Sequence, residues 1–297
     1  MNANRLSGVI LVLSASIAGV VFPFLGTYLH SYIPVFVMYL IYVSLADIKN
    51  INVLSQSKSS LILLSLLISY ILLPVIGINM ANQILHTPII IGFTIALSAP
   101  TTAGSALIWS KLSGANVALT TVTSIVSIVL SPLITPILLY FYLGSQGSLP
   151  FESLLLELFF VITGGVILAL VLPDKLSRSR FFSPSAKATI FIIIYASVSD
   201  ITISDVVMTE LIYILIFSVF LLALGAMLVG VFRRIYDLSL NDAIPVYLTS
   251  NLQNLGIAVV IGTSFGNTLI MLTIISYFVC QQLCGAIIAD VTSEYQF

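Results

Sequence analysis

The stretch Leu248–Ala258, LTSNLQNLGIA, lies inside an apolar run from Ala243 to about Phe265 that is otherwise long enough to cross a bilayer. Thr249, Ser250, Asn251, Gln253 and Asn254 crowd its middle, and Gly256 follows. Hydrocarbon offers such groups no hydrogen bonds, and each one left unsatisfied costs free energy. A polar cluster at that depth must be met by something other than lipid.

The rest of the chain gives the stretch its setting. Its 297 residues are 59% hydrophobic and 7% charged, with a mean hydropathy of +1.18. A soluble domain carries roughly 25% charged residues, so this chain cannot clothe a water-facing surface and reads as an all-α membrane protein. The net charge of −1 and the absence of a basic stripe leave no nucleic-acid partner. Cys280 and Cys284, one helical turn apart in an apolar segment, read as packing thiols rather than a metal or redox pair. Arg5 followed by Leu6–Phe22 resembles a signal peptide but lacks a small-residue cleavage site, so it is taken as the first membrane segment.

Apolar runs fall at about 6–24, 31–47, 59–80, 87–109, 116–143, 152–173, 186–200, 207–232, 242–264 and 267–290, or about ten spans. The seventh is short, and the fourth and ninth are interrupted by polar residues. With the N-terminus inside, the inner loops hold Arg5, Lys49, Lys58, Lys111, Lys175, Arg178, Arg180, Lys187, Arg233 and Arg234, which is all 10 of the Lys and Arg residues. Such one-sidedness follows the positive-inside rule and places both termini in the cytoplasm.

The second span ends IYVSLADI (Ile41–Ile48) and the seventh ends IYASVSDI (Ile194–Ile201). Gly114 and Asn116 open the fifth span; Gly266 and Asn267 open the tenth. These pairs share an offset of about 150 residues, which predicts two related halves, 1–144 and 145–297. Five spans per half would set the halves in opposite orientations. The interruptions fall in matching places: SAPTTAGSALIWSKLSG (Ser98–Gly114) with Pro100, and Pro245 followed by LTSNLQNLG. A plain proline kink accounts for either one alone. Two together predict that the fourth and ninth helices are discontinuous and cross, so that their polar atoms satisfy one another around a pocket. Half-helix N-termini aimed into it favour an anionic group, while carbonyls and hydroxyls suit a small cation.

The runs AGSALIWSKL (Ala103–Leu112), SGANVALTTVTSIVSIVLSPLITPILL (Ser113–Leu139) and NLQNLGIA (Asn251–Ala258) resemble the bile acid:sodium symporter family, best over 98–139 and 245–262. The resemblance implies ten helices in a panel and a core domain, crossing of the broken helices in the core, alternating access, and sodium-driven uptake of organic anions. It implies one sodium site at Ser105, Thr120, Ser124 and Thr249, and a second at Ser69, Thr249, Ser250, Leu252 and Gln253. Here Ala106 replaces the family's asparagine, Thr249 its shared carboxylate and Ser69 a glutamine. Asn254 matches the family's amide at the substrate cavity, with Thr102 and Ser105 facing it and Asn251 beside it. The expected substrate is a small organic anion. With the carboxylate replaced, coupling to Na+, coupling to H+ and uncoupled carriage all remain open, and a permeation channel is the alternative from another class.

An intramembrane enzyme is not expected, and neither is a cofactor. His30 and His86 lie in outer loops and cannot form a zinc-protease pair, and no mid-membrane base accompanies a serine. Asp47 and Asp200 fall on opposite faces of the membrane, too far apart for an aspartyl dyad. Glu157, Glu210, Asp242 and Asp290 lie near span ends, where carboxylates reach water. Trp109 reads as an interface anchor.

Overall fold

The computed structural model describes residues 3–46, 58–144, 151–172, 182–199 and 205–294, and the described residues are helical almost throughout. Asp47, Lys49, Lys175, Arg178, Arg180 and Asp200 lie outside them. The helices are α1 (Ala3–Val21), α2 (Ile33–Ala46), α3 (Ser59–Ile84), α4 (Thr87–Ser98), α5 (Ala103–Leu112) and α6 (Val117–Leu143). Then follow α7 (Phe151–Val171), α8 (Phe182–Val198), α9 (Asp205–Ile235), α10 (Leu240–Asn251), α11 (Leu255–Thr263) and α12 (Thr268–Glu294). Among the described residues, Ser59–Ile84, Val117–Leu143, Met208–Ile235 and Thr268–Thr292 are long and apolar enough to cross a membrane. Their outward side chains confirm the solvent they need: Phe141 is 75% exposed and Ile216 64%. Lipid accepts such a surface; water does not. The protein is an integral membrane protein.

Packing sorts the helices into two groups. Helices α1, α2, α7 and α8 pack on one another, and α3 to α6 pack with α9 to α12. Close approach within the first group depends on Gly165, where a Cβ would press on the Ile41 side chain and the Met38 carbonyl. Small residues allow this backbone contact where no hydrophobic force operates between helices.

The second group contains two parallel stories of local sequence. Helix α4 ends at Ser98, an extended segment follows, and α5 resumes at Ala103; likewise α10 ends at Asn251 and α11 resumes at Leu255. Each resumed helix is followed within three residues by a glycine with positive φ, Gly114 at 61° and Gly266 at 56°, a conformation that other residues adopt at a cost. An asparagine then caps the next helix. Asn116 Oδ1 accepts from the Leu119 N–H at 3.1 Å, and Asn267 Oδ1 from the Leu269 N–H at 2.9 Å. The capped helices, α6 and α12, are 27 residues each. The two stretches thus share the order short helix, positive-φ glycine, asparagine cap and long helix.

Proline residues inside these helices release carbonyls, and the released groups are reused. Pro245 cannot donate to Asn241, whose carbonyl instead accepts from the Asn116 N–H at 3.0 Å. Pro132 leaves the Ile128 carbonyl free, and the Ser131 hydroxyl takes it at 2.8 Å. In α3, a π-helical turn over Ile68–Leu72 precedes Pro74 and turns Ser69 and Tyr70 into the core.

Lys58, Lys111, Arg233 and Arg234 gather at one end of this group. There Asp242, in the first turn of α10, accepts from Lys58 Nζ at 3.2 Å and from Asn116 Nδ2 at 3.1 Å. The Lys58 side chain is 70% exposed, so its pairing is screened. Lys58→Ala is expected to lower stability by less than about 1 kcal/mol. Asp242→Ala also strips the contact to α6 and is expected to cost about 1–2 kcal/mol. Denaturant titration of the two purified variants checks the order.

Candidate functional site

Between α4 and α5 the chain runs extended through Ala99–Thr102, and between α10 and α11 through Leu252–Asn254. The two segments lie antiparallel, joined by a bridge between Thr101 and Gln253. Thr102 N–H donates to the Leu252 carbonyl at 2.9 Å, and Asn254 N–H to the Pro100 carbonyl at 2.7 Å. The two remaining N–H groups turn outward to side chains. Thr101 N–H reaches Ser127 Oγ at 2.9 Å on α6, and Gln253 N–H reaches Gln281 Oε1 at 3.1 Å on α12. Interrupted helices are tolerable in hydrocarbon only when their freed groups are met in this way. Thr101 Oγ1 adds a bond to the Thr249 carbonyl at 2.6 Å.

Helix termini of both signs meet here. Helices α4 and α10 end at the crossing, while α5 and α11 begin there, with Thr102 and Asn254 as their N-caps. Partial positive charge thus converges from two helices, and partial negative charge from two others. Thr102 makes no side-chain cap bond, whereas Asn254 Oδ1 accepts from the Ile257 N–H at 3.2 Å.

Around this junction the structure gathers Ser69, Ser250 and Gln253. Gln253 Nε2 donates to Ser69 Oγ at 3.1 Å and to the Ser250 carbonyl at 3.2 Å. The π-turn of α3 is what presents Ser69 there. Thr249 is wholly buried, and its hydroxyl bonds back to the Pro245 carbonyl at 2.7 Å. Thr120 Oγ1 donates to Ser110 Oγ at 2.9 Å, linking α6 to α5. Ser105 Oγ accepts from Gln282 Nε2 at 3.2 Å. Ser124 is buried on α6, one turn beyond Thr120.

Asn251 stands apart from this group. It is wholly buried, donates to the Tyr247 carbonyl at 3.0 Å and Ser250 Oγ at 2.9 Å, and its amide lies against Gly225 of α9. Its neighbours are packing partners between α9 and α10, whereas Asn254 lies at the crossing itself.

Ser98 Oγ, Thr123 Oγ1, Ser124 Oγ and Gln253 Oε1 are buried without a hydrogen-bond partner among the described residues. Each is a neutral oxygen. Among the described residues no group of three His, Cys, Asp or Glu side chains is placed to hold a metal. Hard cations take oxygen ligands, and ligand charge raises their affinity. The crossing offers the oxygens and, at Thr249, lacks the charge.

Two residues at the site were not marked by the sequence reading. Gln281 and Gln282 on α12 brace the two interruptions, Gln281 through the Gln253 N–H and Gln282 through Ser105. Adjacent amides in an apolar span were the available signal, and they satisfy the same physical rule that drew attention to LTSNLQNLG. Trp109 also differs from expectation. It is 5% exposed, so it is no interface anchor; its Nε1 donates to Gln282 Oε1 at 3.1 Å and its ring covers Gly285. A ring that large fits because Gly285 has no Cβ.

The sequence model of the SBF-like CPA transporter family matches residues 8–294. No curated protein matches the chain.

Proposed function

From the premise that the chain belongs to the SBF-like CPA transporter family, a membrane transporter family within the bile acid:sodium symporter-like group, we propose that it carries a small organic anion by alternating access. The observation that carries this reading is the antiparallel pairing of the Thr101 and Gln253 segments, with two half-helix N-termini starting at the junction. Each interrupted pair, on this reading, counts as one passage and the chain makes about ten passages in two inverted halves, the plan expected of a secondary carrier. On this reading α1, α2, α7 and α8 form a panel and the other helices a core that moves against it. Asn254, Thr102 and Ser105 contact the substrate, whose negative charge is held by helix termini rather than by a basic side chain.

A second reading concerns coupling. Thr249 stands where the family's shared carboxylate would be, and its hydroxyl is committed to the Pro245 carbonyl. That substitution favours proton-coupled or uncoupled carriage over sodium coupling. If sodium does bind, its ligands are Ser69, Thr120, Ser124, Ser250 and Gln253 with Ser105.

Uptake of labelled organic anions into proteoliposomes tests both. Equal accumulation with and without an inward sodium gradient is expected under the second reading, and a sodium-dependent rise discards it. Asn254→Ala is expected to lower uptake about tenfold or more, in line with loss of a hydrogen bond to a charged group, and Gln253→Ala to lower it by removing the bridge from the junction to Ser69. Normal uptake by both folded variants would remove the crossing as the substrate site, and unitary currents in bilayer recordings would replace the carrier with a channel.

A further inference from the structure

Away from the crossing, on the lipid-facing side of the core, a groove of ≈ 580 Å³ opens between α9, α10 and α12. Its walls include Val219, Ala223 and Ala226 of α9, Tyr247 of α10, and Leu283 and Ile287 of α12, so it is almost wholly apolar. Small side chains on α9 give it depth. It shares Gly230 and Arg233 with an adjoining cavity of ≈ 570 Å³, whose lining also includes Arg234 and Asp237. The combined feature is an apolar slot ending in two guanidinium groups and one carboxylate, with a net positive charge at its mouth. Neither ion pair among the described residues uses either arginine. Arg233 is anchored through Nε, which donates to the Leu238 carbonyl at 3.2 Å, a bond in which its two terminal nitrogens take no part.

We propose that this slot binds one anionic glycerophospholipid, with an acyl chain along α9 and the phosphate at Arg233 and Arg234. Length supports that occupant. From Val219 to Arg233 is about 21 Å along a helix, and half of a bilayer of about 40–45 Å, headgroups included, is the same. Charge supports it too, because paired arginines suit a phosphate and a bidentate guanidinium fixes its orientation. The slot lies at the end of the core where Lys58 and Lys111 also gather, the end that faces the anionic inner leaflet if the positive charges mark the inside. Tyr236 is 62% exposed beside the mouth and stacks on Phe232, as an interfacial aromatic residue would. The groove is separate from the crossing site, so this inference stands whether or not the transport reading does.

The test uses the purified full chain in detergent, titrated with phosphatidylglycerol or phosphatidylcholine and read by native mass spectrometry. Phosphatidylglycerol is expected to be retained about tenfold better, with one molecule per chain. Arg233→Gln with Arg234→Gln should bring the two lipids level, while Lys111→Gln keeps the preference. Ala226→Phe, which fills the groove without touching the charge, should lower retention of both. Equal retention by the unmodified chain would overturn the proposal, as would a preference that survives loss of both arginines or retention unaffected by Ala226→Phe. A lipid-free dimer that Ala226→Phe dissolves would assign the groove to a second copy instead.

Discussion

Thr102→Pro is expected to reduce both thermal stability and uptake severely, while Thr102→Ala leaves most of the stability. The contrast isolates one backbone hydrogen bond. Thr102 has φ −73°, inside the range proline requires, and Thr101 before it is extended, as the residue preceding a proline prefers to be. Ring closure therefore adds little strain of its own. It does delete the N–H that reaches the Leu252 carbonyl at 2.9 Å, and it sets a Cδ where that oxygen sits. Leu252 is wholly buried, so its carbonyl finds no water in exchange. Leaving a buried acceptor unpaired costs about 1–3 kcal/mol, and forced separation of the two segments adds to it. The alanine variant loses only a hydroxyl that makes no cap bond. Melting curves that coincide for the two variants would show that pairing of the interruptions does not hold the core together.

The second large effect is expected at Gly225. A Cβ there would overlap the side-chain amide of Asn251 directly. That amide is held by the Tyr247 carbonyl and Ser250 Oγ and is wholly buried. Gly225→Ala must therefore separate α9 from α10 or break the Asn251 contacts. Overpacking of this kind costs about 1–3 kcal/mol, and Gly225→Val should fail to yield folded protein. Asn251→Ala removes the obstacle. Combining it with Gly225→Ala should recover much of the loss, giving a coupling that a double-mutant cycle measures. Additive losses would mean that the two residues are not in contact. The Asn251→Ala variant alone also bears on function: near-normal uptake would confine Asn251 to packing.

The sequence announced the interruptions because hydrocarbon is intolerant. Pro100 and the five polar residues between Thr249 and Asn254 could not be reconciled with lipid, and helices end next to both. Gly114 and Gly266 were legible for a related reason, since a positive φ after a short helix almost demands glycine. Other features were hidden by their ordinariness. Gln281 and Gln282 sit in a helix that runs on unbroken through Gly285, so their two amides stood without the proline and polar run that marked the other sites. Ser69 could be placed opposite Gln253 only by resemblance, because a π-turn has no reliable signature and it rotates every later side chain of α3. Trp109 looked interfacial from its position near a helix end, yet the space above Gly285 is a tertiary fact. Asn251 and Asn254 read alike as letters, while a change from helix to extended chain between them points one at α9 and leaves the other at the crossing.

The junction of the Asn116 N–H with the carbonyl that Pro245 releases has a consequence for how such a protein drifts over generations. Both partners belong to the main chain, so almost any letter could stand at 116 or 241 and the stitch would persist. One ring, at 245, opens the vacancy that the stitch fills. Substitution there would close the ladder of α10 and strip the main-chain stitch from α6, shifting that hold to the Asn116 side chain on Asp242; one imino acid thus decides how free the letter at 116 is to drift.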